Sequence, residues 1–425
     1  MRTPLIFLSA ALTLVVTVSS VVGARQAPAP TPAPAPNPAQ AAAPGRAGGR
    51  GGGPVISPEI AADGRVTFRL RAPNAREVGV AVSGQQPSPM PMQKDDQGVW
   101  SATTSALAPD IYTYSFRVDG ATISDPSSRD YQTSFGSFQN MFSVPGPQPW
   151  LPAAGVPRGA VARHVFRSSI ANDEREFFVY TPPGYEPKRS QAYPVLYILH
   201  GLGDDAGRWV NSGAANVILD NLIAAKKAVP MVMVSTLGYG TSLGPAGARG
   251  EGGLRNLTGY THILLDEVMP QVDKSYNVSK DRNQRAIAGL SMGGTETIYT
   301  ALNNLDKFAW IASFSGAFTM WPGLQVPAAP GAARGERGTP GPPPTFNPAK
   351  FSEMFPKLDA KANSQIKMLW IVCGTSDGLI AVNREFKTWL KSKNINFTEQ
   401  EVPNMAHVWP LWRQNVADMA PRLFR

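Results

Sequence analysis

Cysteine and histidine are scarce in this chain of 425 residues. The single cysteine, Cys373, excludes an intramolecular disulfide framework and any metal site built on cysteines. It ends an apolar run, where a lone thiol is most simply a small buried hydrophobic side chain. Only four histidines are present, so a site that needs an imidazole has few candidates. No His or Cys cluster predicts a metal, and the sequence predicts no other cofactor.

A second long hydrophobic run is also missing. Arg2 precedes an apolar stretch over residues 5–18, which is short for a membrane span, and small residues at 22–24 suit signal peptidase. Residues 1–24 are therefore predicted to be a signal peptide, and the mature chain to be secreted or periplasmic in a bacterium, without a membrane span. Residues 25–54 are rich in Pro and Ala and then in Gly, a composition that predicts a disordered tether.

The formal net charge of +9 is not gathered into a basic cluster. Part of it comes from arginines that precede residue 55, and no recognition motif accompanies the remainder. The sequence therefore predicts no nucleic-acid partner. It gives no indication of the oligomeric state.

Two folded regions are predicted after the tether. Residues 55–145 contain short alternating segments separated by turn residues, the pattern of an all-β, immunoglobulin-like sandwich. Residues 146–160 are rich in proline and predict a linker. From residue 161 to 425 strands alternate with helices, which predicts the α/β class, with a mostly parallel sheet and helices on both faces. The predicted strands of the sandwich are Val66–Arg71, Val78–Val82, Val99–Thr103, Tyr112–Val118 and Met141–Val144.

The pattern Gly-x-Ser-x-Gly occurs three times, around Ser242, Ser291 and Ser376. Ser242 lies in a run of Gly, Pro and Ala, with Pro245 close behind it, so no helix can begin there. Ser291 lies between an apolar strand and a helix. A nucleophilic serine needs this sharp turn, and its flanking glycines let the backbones pass closely. We therefore predict that Ser291 is a nucleophile.

The partners of Ser291 follow from their order in the chain. His407 is the only histidine after Ser291, and in the order Ser, Asp, His the base follows the nucleophile. The acid is predicted to be Asp377, which follows the apolar run 368–373, typical of a buried parallel strand. Ser376 is the alternative nucleophile, but no aspartate lies between Asp377 and His407 to serve it.

An oxyanion hole needs two backbone N–H groups aimed at the oxygen that becomes negative. One belongs to the residue after the nucleophile, Met292. The other is expected on the loop that follows the apolar strand 195–199, where Leu202 is the predicted donor. His200 is expected to brace this loop. Asp204 and Asp205 are expected to order the loop or to lie in solvent, since no cluster supports a metal.

Several stretches resemble the family-one carbohydrate esterases, the esterase D-like group that includes feruloyl and acetylxylan esterases. They are residues 180–185, 193–201, 286–294 and 407–413. The first folded region, with Phe68–Pro73, is similar to the early-set domains related to glycogen-binding modules. The resemblance implies an α/β-hydrolase fold and a triad of Ser291, Asp377 and His407. The family usually has two glycines before this histidine, where the present chain has Met405 and Ala406.

The resemblance implies a secreted serine esterase that acts on acyl esters of plant cell-wall carbohydrate, of the feruloyl esterase type. Its substrate would be an ester-bearing carbohydrate or a small aromatic ester. Acetylxylan esterase, siderophore-ester hydrolase and acyltransferase activities remain alternatives, because function depends on the pocket rather than on the fold. A non-catalytic carbohydrate-binding protein is disfavoured by the complete set of catalytic candidates.

Aromatic side chains near the strand ends are candidates for substrate contact, since ligands bind there in parallel sheets. An aromatic acyl group would stack on Trp209, Tyr239 or Trp409. Alternatively, Trp409 and Trp412 dock the C-terminal helix into the core; this is favoured for Trp412 and stays open for Trp409. The insertion Pro322–Pro348 is expected to be a loop near the site or a disordered excursion. All catalytic candidates follow residue 200, so the sandwich is expected to be dispensable for the chemistry.

Overall fold

The computed structural model describes residues 54–135, 137–240, 251–326 and 345–425. The predicted signal peptide and all but the last residue of the predicted tether therefore lie outside the described residues, as do Ser242 and most of the insertion. Among the described residues, no helix is both long enough and apolar enough to cross a membrane. The described part of the chain after residue 53 forms one compact unit.

The first region contains two antiparallel sheets. Alternation in the segment Val66–Arg71 directs Val66, Phe68 and Leu70 inward, where they are buried against aromatic residues of the second sheet. One sheet has the order β1, β2, β6, β5; the other has β4, β3, β7, β10, β9, with β8 paired to β7. The strands are β1 Glu59–Ile60, β2 Val66–Arg71, β3 Val78–Val82, β4 Met90–Pro91, β5 Gln93–Lys94, β6 Val99–Thr103, β7 Asp110–Val118, β8 Ala121–Ile123, β9 Tyr131–Ser134 and β10 Ser137–Val144.

The second region is built on one mixed sheet with the order β11, β12, β14, β13, β15, β16, β19, β20. The first two strands are antiparallel to their neighbours, and the pairs from β14 to β20 are parallel. The strands are β11 Ala160–Arg167, β12 Glu174–Thr181, β13 Val195–Leu199, β14 Val232–Thr236, β15 Arg285–Leu290, β16 Trp310–Phe314, β17 Gln325–Val326, β18 Thr345–Phe346, β19 Met368–Gly374 and β20 Thr398–Val402. The short pair β17 and β18 flanks the undescribed part of the insertion.

Helices cover both faces of this sheet. Strand β13 shows why, because its residues are all buried and alternate between two separate hydrophobic clusters. Helices α2 and α8 pack on one face, and α3, α4, α5, α6 and α7 on the other. The helices are α1 Arg208–Asn211, α2 Ala215–Ala224, α3 Glu251–His262, α4 Met269–Ser275, α5 Met292–Asn303, α6 Ala349–Met354, α7 Ile380–Ser392 and α8 Trp409–Met419, with a π-helical segment Ile263–Val268 between α3 and α4.

These observations confirm the predicted class, an α/β sheet domain with an N-terminal all-β sandwich. The segment 146–160, expected to be a linker, is however packed. Trp150 and Leu151 are buried in the cluster that contains α2 and α8. The Trp150 indole N–H donates to Asp110 at the start of β7, and Arg413 of α8 forms an ion pair with the same carboxylate. The proline content of this segment indicates stiffness, but it does not predict whether an aromatic residue such as Trp150 is buried.

Candidate active site

Ser291 lies at the turn between β15 and α5 in a strained conformation. Its φ of 54° and ψ of −117° are rare for a residue with a side chain. Two hydrogen bonds hold this conformation: the Ser291 N–H donates to Phe314 O over 2.9 Å, and its carbonyl accepts from the Ala317 N–H over 2.9 Å. The strand end and the following helix thus present the hydroxyl at the carboxyl edge of the sheet.

The flanking glycines of this turn cannot carry side chains. A Cβ on Gly289 would lie 2.3 Å from the carbonyl oxygen of Gly293, and a Cβ on Gly293 would lie 2.4 Å from that of His200. These distances are well inside van der Waals contact. The start of α5 therefore packs directly against both β15 and the loop after β13, as the close-passing backbones of the predicted turn require.

Three predicted side chains form one hydrogen-bonded row. His407 Nε2 lies 3.1 Å from Ser291 Oγ, and His407 Nδ1 lies 2.8 Å from Asp377 Oδ2. Asp377 is buried, whereas 36% of the His407 side-chain surface is exposed. The arrangement has an open hydroxyl at one end and a shielded carboxylate at the other.

The environment of Asp377 decides where the imidazole proton sits. Burial alone would raise the pKa of Asp377, but hydrogen bonds from His407 and from the Leu379 N–H hold that pKa below its usual value. An ionised carboxylate only accepts, so Nδ1 of His407 carries the proton. Nε2 is then the acceptor and faces the hydroxyl of Ser291.

The loops that carry Asp377 and His407 are tied to each other. The Ser376 N–H donates to Met405 O over 3.0 Å, and the Asn404 N–H donates to Thr375 Oγ1 over 2.9 Å. The rings of His407 and Trp412 pack edge to face, with centroids 4.8 Å apart. Ser376, the alternative nucleophile, therefore lies in a turn beside the acid and helps to hold the histidine loop through its backbone.

The loop after β13 lies against the nucleophile. A Cβ on Gly201 would lie 3.4 Å from Ser291 Cβ, so the loop passes immediately beside the turn. Met292 is the first residue of α5, and its N–H has no partner within the helix. Among the described residues, no backbone hydrogen bond engages the N–H of Leu202. Both predicted oxyanion donors are thus unused by neighbouring backbone.

His200 is a structural residue of this loop. It is fully buried; its Nδ1–H donates to Gly201 O over 2.8 Å, and its Nε2 accepts from the Gly238 N–H over 2.9 Å. Burial lowers the pKa of His200 to about 4, which keeps the ring neutral. The structure thus places His200 where it braces the loop, as expected from the sequence.

Asp204 and Asp205 are tied to protein groups. Asp204 Oδ1 lies 3.0 Å from Arg208 Nε, and Asp205 accepts from the Gly207 N–H. Burial raises the pKa of Asp204 to about 6, although Arg208 opposes that shift. The two carboxylates order the loop, which is one of the two roles expected for them.

Two of the three predicted substrate-contact residues are buried. Trp209 is 0% exposed and donates its indole N–H to Leu199 O over 2.8 Å. Tyr239 is also 0% exposed, and its hydroxyl accepts from the Gly203 N–H over 2.7 Å. Neither presents surface to a substrate, so the prediction of stacking is wrong for these two side chains. Trp409 is partly buried, packs edge-on against Trp209 and keeps some exposed surface.

Sequence reasoning missed a buried acid near the nucleophile. Glu296 lies on α5, is fully buried, and receives one long hydrogen bond of 3.4 Å from Asn256 on Oε1. Its Oε2 has no partner among the described residues. Burial raises the pKa of Glu296 well above its usual value. The one available signal was its position beside apolar helix residues, where a charged residue is unexpected.

We expect Glu296→Gln to stabilise the protein more as the pH rises. The unfolded chain loses the Glu296 proton at its ordinary pKa, whereas the folded chain retains it, so wild-type stability falls by up to about 1.4 kcal/mol per pH unit between the two values. The amide cannot ionise and removes this loss. Urea unfolding of both proteins at pH 5 and pH 9 measures the effect. An equal difference in the free energy of unfolding at both pH values would contradict it; the exposed Glu186→Gln serves as control.

Residues 168–423 match the model of the family described as putative esterase, which is more than half of the chain. The chain belongs to this esterase family. Residues 53–131 match the model of carbohydrate-binding module 48, the isoamylase N-terminal domain. The N-terminal region is accordingly of that module type, and the two matches confirm the resemblance seen in the sequence.

One similar curated protein is an endo-1,4-beta-xylanase/feruloyl esterase of Xylanibacter ruminicola, 27% identical over 87% of this chain and 46% of the relative. The chain spans less than half the length of the curated relatives it matches. Among solved structures, the CE1 ferulic acid esterase of Anaeromyces mucronatus aligns with 21% identity, 66% of this chain, 96% of its own chain and a TM-score of 0.51. The enterochelin esterase of Shigella flexneri aligns with 17% identity, 86% of this chain, 94% of its own and a TM-score of 0.57.

Proposed function

We propose that the protein is an exported serine esterase of the feruloyl esterase type, acting on acyl esters of plant cell-wall carbohydrate through an acyl-enzyme. The observation that carries the chemistry is the row Ser291, His407, Asp377 with a strained serine turn at one end. The substrate class is supported by the Xylanibacter relative, whose similarity extends over most of this chain.

In the first half of the reaction, Ser291 Oγ attacks the ester carbonyl carbon while His407 Nε2 takes the hydroxyl proton. Asp377 holds the Nδ1–H and stabilises the imidazolium that forms. The negative oxygen of the tetrahedral intermediate accepts hydrogen bonds from the N–H groups of Leu202 and Met292. Collapse breaks the bond to the alcohol oxygen, which receives the proton from His407, and leaves the acyl group on Ser291.

In the second half, water replaces the alcohol. His407 removes a proton from the water as its oxygen attacks the acyl carbon, and the second tetrahedral intermediate expels Ser291, which regains its proton. Carbohydrate alcohol and carboxylic acid are the products. The same steps with a second alcohol in place of water would give acyl transfer, so the fate of the acyl group is a separate measurement.

A substrate panel tests this proposal. The full chain is assayed with methyl ferulate, acetylated xylan, p-nitrophenyl acetate and a catecholate siderophore ester, with Ser291→Ala as the control for contaminating activity. We expect the largest kcat/KM for methyl ferulate among the natural ester types, since a planar aromatic acyl group can pack against the exposed part of Trp409. Preference for the siderophore ester or for acetylated xylan would contradict the assigned acyl group but leave the esterase chemistry standing. Absence of hydrolysis with every ester would contradict both.

A further inference from the structure

The hairpin formed by β9 and β10 of the sandwich reaches the loop that follows β13 in the catalytic region. The Phe135 N–H donates to Gly203 O over 2.8 Å, and Thr133 Oγ1–H donates to Asp205 Oδ2 over 2.6 Å. Arg208 donates to Thr133 O over 3.3 Å. These contacts join residues about seventy positions apart in the chain. They give a physical reason to test the expectation that the sandwich is dispensable for the chemistry.

Gly203 is held from two sides. Its carbonyl accepts from the Phe135 N–H of the sandwich, and its N–H donates to the Tyr239 hydroxyl of the catalytic region. The ring of Phe135 packs edge-on against Tyr239 with centroids 5.1 Å apart. Gly203 has φ of +90°, a conformation that side chains disfavour, so the turn here depends on these contacts as well as on glycine. The residue before Gly203 is Leu202, whose N–H is the proposed oxyanion donor.

The other end of the loop is held by Thr133. Asp205 accepts from the Thr133 hydroxyl with one carboxylate oxygen and from the Gly207 N–H with the other. Arg208, which pairs with Asp204, contacts the backbone of the same threonine. The turn from Asp204 to Arg208 is thus connected to the sandwich by a short polar network. Neither Phe135 nor Thr133 belongs to the row of Ser291, His407 and Asp377.

We propose that Phe135 and Thr133 of the N-terminal sandwich are positioning residues for the oxyanion hole, because they hold the 201–207 loop with the Leu202 N–H directed beside Ser291. The proposal rests on the proposed esterase function. An oxyanion donor acts only when it lies about 2.7–3.1 Å from the developing charge, and a displacement of about 1 Å can cost about 100-fold in rate. The sandwich would therefore contribute to kcat as well as to any binding of carbohydrate.

The test compares matched variants of the full chain. Phe135→Ala with Thr133→Val removes the ring that packs on Tyr239 and the hydroxyl that donates to Asp205, and it leaves the Phe135 N–H in place. Phe138→Ala with Thr122→Val makes the same changes on exposed residues of the same sandwich, and Phe138 stacks on Tyr131 instead of Tyr239. With p-nitrophenyl acetate, we expect the first pair to lower kcat about 10- to 100-fold with little change in KM, and the second pair to leave both unchanged. Thr133→Ser in the Phe135 wild-type background retains a hydroxyl and should retain activity.

A thionoester distinguishes oxyanion positioning from general loosening of the fold. An oxyanion hole built for oxygen discriminates against the larger sulfur, which is a weaker hydrogen-bond acceptor, so the wild-type ratio of kcat/KM for the ester over its thionoester is high. The Phe135 and Thr133 variant should show a lower ratio, and the control pair should not. Unchanged kcat in the first pair, or a lowered kcat with the wild-type ratio, would overturn the proposal.

If the double variant does not fold, kcat and the ratio of ester to thionoester hydrolysis are measured on the single variant Thr133→Val. This variant changes one group at an exposed position. Thermal unfolding of each variant shows that folded protein is being compared. If the wild type hydrolyses no ester, the proposed function fails. If the wild type is active and both Thr133→Val and the double variant match it in rate and ratio, only the positioning role fails.

Discussion

Ser291→Ala should abolish ester hydrolysis, with kcat falling on the order of a million-fold. In the proposed mechanism this hydroxyl forms the acyl-enzyme, and no other side chain in the row of Ser291, His407 and Asp377 can replace it. Because a small side chain replaces another at the same backbone conformation, the fold should be retained. Release of p-nitrophenol and of ferulate, together with the unfolding temperature, measures both effects.

Ser376→Ala is the matched control for this prediction. The same pentapeptide pattern surrounds Ser376, yet its N–H is used to hold Met405, and it does not share the positive φ of Ser291. An alanine retains that N–H, so we expect turnover within a few-fold of the wild type. Ser242→Ala, at a position outside the described residues, should also be active. An inactive Ser376→Ala beside an active Ser291→Ala would reverse the assignment of the nucleophile.

Asp377→Asn should retain the fold and lose about 10,000-fold in kcat, by analogy with serine proteases. The amide can donate to the imidazole, which favours the tautomer with the proton on Nε2, and that nitrogen then cannot accept the proton of Ser291. Asp377 is buried and ionised in the folded protein, so the substitution also removes the negative charge that stabilises the imidazolium. Steady-state kinetics on p-nitrophenyl acetate and circular dichroism measure the two parts of this prediction.

Histidine substitutions provide the controls for the base. His407→Gln should be inactive, whereas His262→Gln, on an exposed face of α3 beside Asp266, should leave the chemistry intact. His164→Gln should also be active. His164 lies in β11, the edge strand of the sheet, where it contacts Tyr276 and Phe177. The wild-type kcat/KM should fall in acid, because an imidazolium cannot accept the proton of Ser291. An active His407→Gln enzyme with the same fall in acid would mean that the base is another group.

Local sequence pattern was sufficient for several of the strands and for the chain order of the catalytic candidates. Alternation over Val66–Arg71 and the apolar run Val195–Leu199 predicted strands with the bounds that the structure has. Glycines around Ser291 predicted the strained turn, because close backbone packing and positive φ restrict the residue types that fit. The chain order of Ser291, Asp377 and His407 reflects the topology of a parallel sheet, whose strand ends meet at one edge.

Tertiary structure decided which side chains reach the site. Tyr239 lies on an expected loop, whereas Trp209 lies in the short helix α1. Both are turned into the protein, because each has a hydrogen-bond partner and an apolar cluster there that residue type alone does not reveal. The hairpin contact on Gly203 joins two folded regions through backbone groups, which every residue possesses and no motif records. Sequence by itself therefore determined the order of the catalytic candidates along the chain and several of the strands that bear them. Only the packing of segments distant in the chain determined which groups position the candidate site, because burial and hydrogen-bond pairing depend on such distant neighbours.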